Sequence, residues 1–317
     1  MVITSQSLQG MKSGFNALFN KAYTETTPQY EKVAMVVPSS GADETYGWLG
    51  QLPALREWIG EREIHNLTAT GYTIKNKDYE LTISVGRNDI ADDKIGIYSP
   101  LFQEMGVSAK MHPDELIFSL FAAGFTNICY DGTAFFSNRH PMTESGNGFQ
   151  SNMGTQKLSP QSYEAARSQM MTIKGESGKS LKIIPDLLVV SPQKEATARQ
   201  ILFADLIAGN TNVNKNTSDL LVVPELADTP EYWFLLSTKR AIKPFIFQMR
   251  EKPRFVSKTQ DNDDNVFFQN AFLYGCNARY NAGYGLWQLA YGSTGNDSAN
   301  TLTESDTQTA EQKRGDE

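Results

Sequence analysis

The chain has 317 residues, 40% hydrophobic and 11% aromatic, with two cysteines and a formal net charge of -7. That is enough apolar material for one large or two modest domains. It excludes a disulfide framework, a membrane span of about 20 apolar residues, and a dedicated nucleic-acid binder, whose affinity comes mainly from neutralised phosphates.

Cys129 and Cys276 are expected in the core, where free cysteine usually lies. The start, Met1-Val2-Ile3-Thr4-Ser5, lacks the basic and apolar regions of a signal peptide. The expectation is a protein that folds and stays in a cytoplasm.

Residues 1–55 read as an extended, partly helical arm. Phe15, Leu18, Phe19 and Ala22 recur at helical steps and predict a short amphipathic helix over Met11 to Tyr23. From Thr24 to Gly50 no period holds, and Pro28, Pro38, Ser39, Ser40, Gly41 and Gly47 punctuate the run. Trp48, Leu49, Leu52, Leu55 and Trp58 need cover, from this chain or from a neighbour.

Residues 61–87 predict a β-hairpin. Ile64 to Ile74 form the first arm and Lys75-Asn76-Lys77-Asp78 the polar turn. Tyr79, Leu81, Ile83 and Val85 alternate with Glu80, Thr82 and Ser84 in the second arm. Such a hairpin is marginal alone, so it is expected to lean on another surface.

From Asn88 the acidic start and the spacing of Ile90, Ile95, Tyr98, Leu101, Phe102 and Met105 predict a long helix. It continues through Leu116, Ile117, Leu120 and Phe121, with Gly124 as a left-handed cap. Pro100 and Pro113 should bend or split it. An aromatic turn follows at 130–141.

Residues 143–158 read as a loop and a domain boundary. Ser159-Pro160 opens a helix with Tyr163, Ala166 and Met170 on one face, ended by Gly175. Leu187–Val190 and Leu220–Val223 are apolar throughout and predict two central strands of one sheet, with a helix opened by Ser191-Pro192 between them. Strands are also predicted at Trp233–Leu236, Phe245–Met249, Val266–Phe268, Ala271–Tyr274 and Leu286–Tyr291. The polar tail from Gly292 is expected to be disordered.

The search for catalytic, cofactor and metal residues returns none. Gly175-Glu176-Ser177-Gly178-Lys179-Ser180 imitates a phosphate loop, but Ile173 stands where the pattern requires glycine, and a helix precedes it instead of a strand. His65, His112 and His140 have no second ligand at a metal spacing. His112 reads as a helix-start residue. Asp131 with His140 is the one pair to weigh as catalytic, and hydrogen bonding within the turn is the plainer reading.

Three motifs then stand in order: Asp-Asp-Lys-Ile-Gly-Ile-Tyr at 92–98, His-Pro-Asp-Glu-Leu at 112–116, and Asp-Gly-x-x-Phe-Phe-Ser-x-x-His at 131–140. Each is short, but their order and spacing together resemble the gpT family, the major head subunits of Mu-like phages and prophages. The resemblance runs to about Gly292. It implies an α+β, Hong-Kong-97-type phage capsid fold.

The parts implied are an N-terminal arm (1–55), an extended β-hairpin loop (56–87), and a peripheral domain with a long, bent or split spine helix (88–149). An α/β axial domain (150–240), returning strands (241–292) and a disordered tail (293–317) complete it. The implied function is structural. Copies would form hexamers and pentamers of an icosahedral shell around phage DNA, held without sequence-specific binding. The implied partners are scaffold or protease, portal and decoration proteins, with no membrane and no cofactor. The implied location is the virion capsid, assembled in the bacterial cytoplasm. The rival readings are a hydrolase or nucleotide-binding enzyme using 131–140 or 175–180, and another oligomeric phage component.

Overall fold

Thr4 sets the first helix. In the computed structural model, which describes residues 3–49, 71–92, 94–142, 148–175, 178–260 and 262–296, the Ser7 amide donates to the Thr4 hydroxyl and the Thr4 amide to the Ser7 hydroxyl. This reciprocal cap starts α1 (Ser5–Glu25) earlier than the apolar spacing alone predicts. Leu8, Met11, Phe15 and Phe19 are its buried face.

The segment from Thr24 to Gly50 is less irregular than its sequence. It holds β1 (Ala34–Pro38) and β2 (Asp43–Tyr46). Ala34-Met35-Val36-Val37-Pro38 is apolar throughout, so no alternation marks it, and its proline is tolerated because β1 lies at a sheet edge. Leu49 is buried in this chain, and Trp48 packs against the same core. Leu52, Leu55 and Trp58 lie outside the described residues.

Among the described residues, the two runs of the predicted hairpin do not pair with each other. β3 (Tyr72–Lys75) pairs with β2, and β4 (Lys77–Gly86) pairs with β14, a strand late in the chain (Ala271–Tyr284). The two runs belong to different sheets, and Asn76 between them is no tip. Its amide donates to the Ala42 carbonyl, and its side chain donates to Ser39 Oγ and Gly41 O. Ile64 to Thr68 of the predicted first arm lie outside the described residues.

The long helix also differs in its start. Arg87–Ala91 form a short α2 and Ile95–Tyr98 a separate 3-10 turn. One helix, α3 (Ser99–Ala123), then runs on. Pro100 sits in its first turn, where a missing N–H breaks no bond. Pro113 lies inside, and the helix runs on through it. Gly124 has φ of -64°, not the left-handed value. A Cβ there would stand 2.8 Å from the Phe136 ring, so close packing is the reason for glycine.

Beyond α3, β5 (His140–Pro141) pairs with β6 (Phe149–Gln150). β7 (Met153–Gly154) joins a larger sheet, so the predicted loop at 143–158 contains strand where it is described. Ser159 caps α4 (Pro160–Thr172), which buries Tyr163, Ala166 and Met170. It ends at Thr172, before Gly175, because Ile173 turns extended. β8 (Leu187–Val190) is buried on both faces, and α5 (Glu195–Phe203) follows.

A small hairpin of β9 (Leu206–Ile207) and β10 (Asn210–Thr211) leads to β11 (Asp219–Val222), then β12 (Trp233–Leu236) and β13 (Phe245–Lys258). Val266-Phe267-Phe268 is helical, not a strand. It falls in α6 (Asp264–Gln269), which connects β13 to β14. β15 (Ala290–Ser293) closes the described chain, so the predicted tail begins with two strand residues. Residues 297–317 lie outside the described part.

Two sheets organise these elements. The order β11-β8-β12-β15-β7 is mixed, and β11 lies at its edge, not at the centre. The order β1-β13-β14-β4 is carried by two 14-residue strands in antiparallel register. The returning strands therefore divide: β13 and β14 build one sheet, β15 the other. α3 links the two cores. Phe102 and Met105 join a small cluster with Phe15, Phe19, Val266 and Tyr274. Phe121 joins the large one, stacked 4.5 Å from Phe245 and edge-on to Phe234.

α1 crosses α3 at Gly106. A Cβ there would collide with the Phe19 carbonyl and lie 3.1 Å from Ala22 Cβ. Glycine in a helix interior costs about 0.5–1 kcal/mol against alanine, so Gly106→Ala should stabilise if propensity decided. Overpacking costs about 1–3 kcal/mol and wins here. The variant subunit is expected to unfold at lower urea than the parent. An equal or higher midpoint would mean that α1 does not dock this closely.

Candidate functional site

The turn after α3 gathers the titratable residues of the 131–140 motif. The Cys129 amide donates to the Thr133 carbonyl and the Gly132 amide to the Cys129 carbonyl, with Gly132 at φ of 82°. This tight turn needs glycine for that backbone. It aims Asp131 inward. Asp131 Oδ1 accepts from the Thr133 amide (3.0 Å), the Thr133 hydroxyl (2.8 Å) and the Cys129 thiol (3.2 Å). Asp131 Oδ2 lies 2.6 Å from His140 Nδ1.

His140 is fully buried and stacks on Trp287 at 3.9 Å and 7°. Its Nε2 lies 3.0 Å from Asn152 Oδ1. The Asn152 amide is oriented by its own donors, which reach the carbonyls of Phe135, Trp287 and Ala290. Both ring nitrogens of His140 thus face acceptors. A carboxylate only accepts, so Nδ1 is the ring nitrogen that donates to Asp131.

Burial by itself would raise the Asp131 carboxyl. The hydrogen bond and charge of His140, with the Thr133 amide, outweigh it and hold the group below the usual carboxylate range.

Sequence reasoning finds Asp131 and His140 but not Cys129 or Asn152. The structure brings all four together, and among the described residues Cys129, Asp131 and His140 each place a ligand atom within 4.8 Å of the others. The distances favour a proton over a metal. Two ligand atoms on a tetrahedral zinc with bonds of about 2.0–2.1 Å stand roughly 3.3 Å apart, whereas Asp131 and His140 are 2.6 Å apart. Burial, then the neighbouring Asp131 charge, pushes the Cys129 thiol well up, so a nucleophilic thiolate is disfavoured. What this cluster does is fasten the turn to β15 and the Trp287 turn.

The loop at 175–180 makes no phosphate cradle in the residues described. The Gly175 amide is spent on the Lys179 carbonyl and the Gly178 amide on the Gly175 carbonyl, while Lys174 and Ser180 bridge across the turn. The chain then runs on toward β8 with no helix opening behind the loop. Glu176 and Ser177 lie outside the described residues, as does His65. His112 is no helix-start residue. It sits inside α3, its Nδ1 2.9 Å from the Tyr280 hydroxyl and its ring against Tyr79, and burial lowers its pKa. Cys276 is buried in the small core cluster.

A chain with these two sheets and a long helix joining their cores is similar to known proteins along most of its length. The family model of the Mu-like prophage major head subunit gpT matches residues 8–160, 153–226 and 225–317. The major capsid protein of Escherichia phage Mu is 36% identical over 290 residues, 92% of this chain and 74% of that protein. The Mu-like prophage FluMu major head subunit of Haemophilus influenzae is 32% identical over 300 residues, 95% of this chain and 77% of that one. Among solved structures, the procapsid of bacteriophage JBD30 superposes with a TM-score of 0.59 at 35% identity, covering 97% of this chain and 80% of that one.

The fold is that of a phage capsid subunit, α+β and of the Hong-Kong-97 type. The chain belongs to the Mu-like prophage major head subunit gpT family.

Proposed function

We propose that this chain is a structural head subunit whose copies close into an icosahedral shell around phage DNA. The observation that carries it is the match to the phage Mu capsid protein over 92% of the chain. The fold of an assembled procapsid subunit supports it independently. The relatives named are capsid proteins, and the Asp131–His140 cluster is spent on hydrogen bonds within the subunit, which supports an architectural role.

In this reading residues 1–55 are the arm and 56–87 carry the extended loop into β4. Residues 88–149 and the long β13–β14 ribbon are the peripheral domain. Residues 150–240, with β15 returning to their sheet, are the axial domain, where rings of five and six meet. A net charge of -7 suits a wall that holds DNA without binding its sequence. Scaffold or protease, portal and decoration proteins are the further partners. The site of action is the virion, after assembly in the host cytoplasm. No helix among the described residues is long and apolar enough to cross a membrane.

Sedimentation velocity tests the reading. Co-expressed with head-assembly partners, the chain is expected in megadalton particles or in hexamers and pentamers. A well-folded monomer or dimer as the sole species would overturn it.

A further inference from the structure

The end of the β13–β14 ribbon presents two phenylalanines to solvent on a support that holds them there. The ribbon's register runs from Phe245 against Tyr284, in the large core, to Lys258 against Leu273 at the far end. Fourteen residues at about 3.4 Å each put that end roughly 45 Å from the root.

α6 bridges the tip. A helix of six residues does not stand by itself, and here several bonds fix it. Asn265, buried, donates to the carbonyl of Lys258 (3.1 Å) and of Ala271 (2.7 Å), the last residue of one strand and the first of the next. Asp263 accepts from the Gln260 amide. Asn270 adopts φ of 51°, donates to Val266 O and accepts from the Arg87 amide. Val266 is buried in the small cluster with Ile90 and Phe102.

Phe267 and Phe268 point the other way. They are 78% and 77% exposed, with rings edge-to-face at 5.0 Å. Ile97 and Leu101, 65% and 48% exposed, flank Tyr98 and Phe102, which pack in the same small cluster as Val266. Apolar side chains therefore rim one end of the molecule. The ion pairs nearby are of both signs, Lys258 with Asp264 and Lys94 with Asp89 and Asp92, which gives a polyanion no hold.

We infer that Phe267 and Phe268 are an anchor for a second copy of this chain, an inference that rests on the head-subunit reading. Two aromatic side chains offer about 300 Å², against about 800 Å² per partner in a standard stable interface. That is too little for a lasting dimer and the right scale for the aromatic centre of one contact among several. Contacts of this size suit a closed assembly in which each subunit touches several copies. The match that covers 97% of this chain is to a chain of a phage procapsid. A second copy is the occupant that every subunit of such a shell encounters.

The test is the full-length Phe267→Ser, Phe268→Ser double variant beside the parent and a Phe267→Leu, Phe268→Leu control, each co-expressed with head-assembly partners. Thermal melts of unassembled subunit and particle yields by sedimentation and microscopy are the readouts. The serine variant should melt with the parent, and its particle yield should fall at least about tenfold. The leucine control should keep most of the yield.

Parental shells with undiminished serine-variant shells would overturn the anchor and leave the head-subunit reading standing. A serine variant that melts far below the parent would overturn it too, by giving the rings a role inside the subunit. So would normal variant shells that fail only to take up a decoration protein. If the parent itself forms no particles, both inferences fall.

Discussion

Deleting residues 74–79 is expected to abolish the folded subunit before assembly is reached. The residues look like a hairpin tip in the sequence, and a tip would be dispensable to a single chain. Their structural surroundings say the reverse. Ile74 is buried in the large core, where it fills the space beside Gly283. Gln248, buried in the middle of the four-stranded sheet, donates to Ile74 O and Asn76 Oδ1 and accepts from the Tyr46 hydroxyl. Tyr79 stacks on Tyr280 at 5.0 Å and packs on His112.

The deletion removes the inward half of β3 and the first three register pairs of β4 with β14. Losing one buried isoleucine side chain costs about 2–5 kcal/mol. Each buried polar group left without a partner adds about 1–3 kcal/mol. Together these approach the whole stability of a domain, about 5–15 kcal/mol. A circular-dichroism melt of the unassembled variant should show no cooperative transition, or one far below the parent's. An unchanged melt would mean that β2, β3 and Gln248 do not make the contacts described.

His140→Ala should be the most damaging single substitution in the 131–140 turn. It removes the stacked ring beneath Trp287 and leaves the Asp131 carboxylate buried without its charged partner. Breaking a buried pair from one side costs about 3–5 kcal/mol.

The pH dependence follows from the direction of the Asp131 shift. Its folded pKa lies below the ordinary carboxylate value. Its contribution is therefore present above the unfolded pKa of about 4 and is lost as pH falls through the folded value. Urea midpoints of the parent should drop as pH falls from about 5 to 2, and the variant's should drop less over that window. A variant within about 1 kcal/mol of the parent, with the same acid slope, would remove the ion pair from the account.

What could be read in advance depended on how local the signal is. α4 was legible from its Ser159 cap and apolar spacing, and α1 and α5 from apolar spacing, although Thr4 starts α1 earlier than that spacing and α5 begins at Glu195, after a 3-10 turn at Pro192–Lys194. β4 and β8 were legible from alternation and from an unbroken apolar run. β1 was not, because an edge strand of apolar residues carries no period. The partner of β3 was not, because Asp43–Tyr46 pairs with Tyr72–Lys75 across a long connection and no local signal links the two. Val266-Phe267-Phe268 has strong strand propensity, yet Asp263, Asn265 and Asn270 cap and tie it as a helix.

The polar cluster was half legible. Asp131 and His140 share one motif, but Asn152 and Trp287 reach them only through the returning chain. Family membership was legible for a different reason: three short motifs kept their order along the chain.

The most direct test of the head-subunit account is an electron micrograph of the purified protein made with its head-assembly partners. The account predicts closed shells whose surface resolves into clusters of five and six subunits. A folded protein seen only as single subunits or pairs would contradict it.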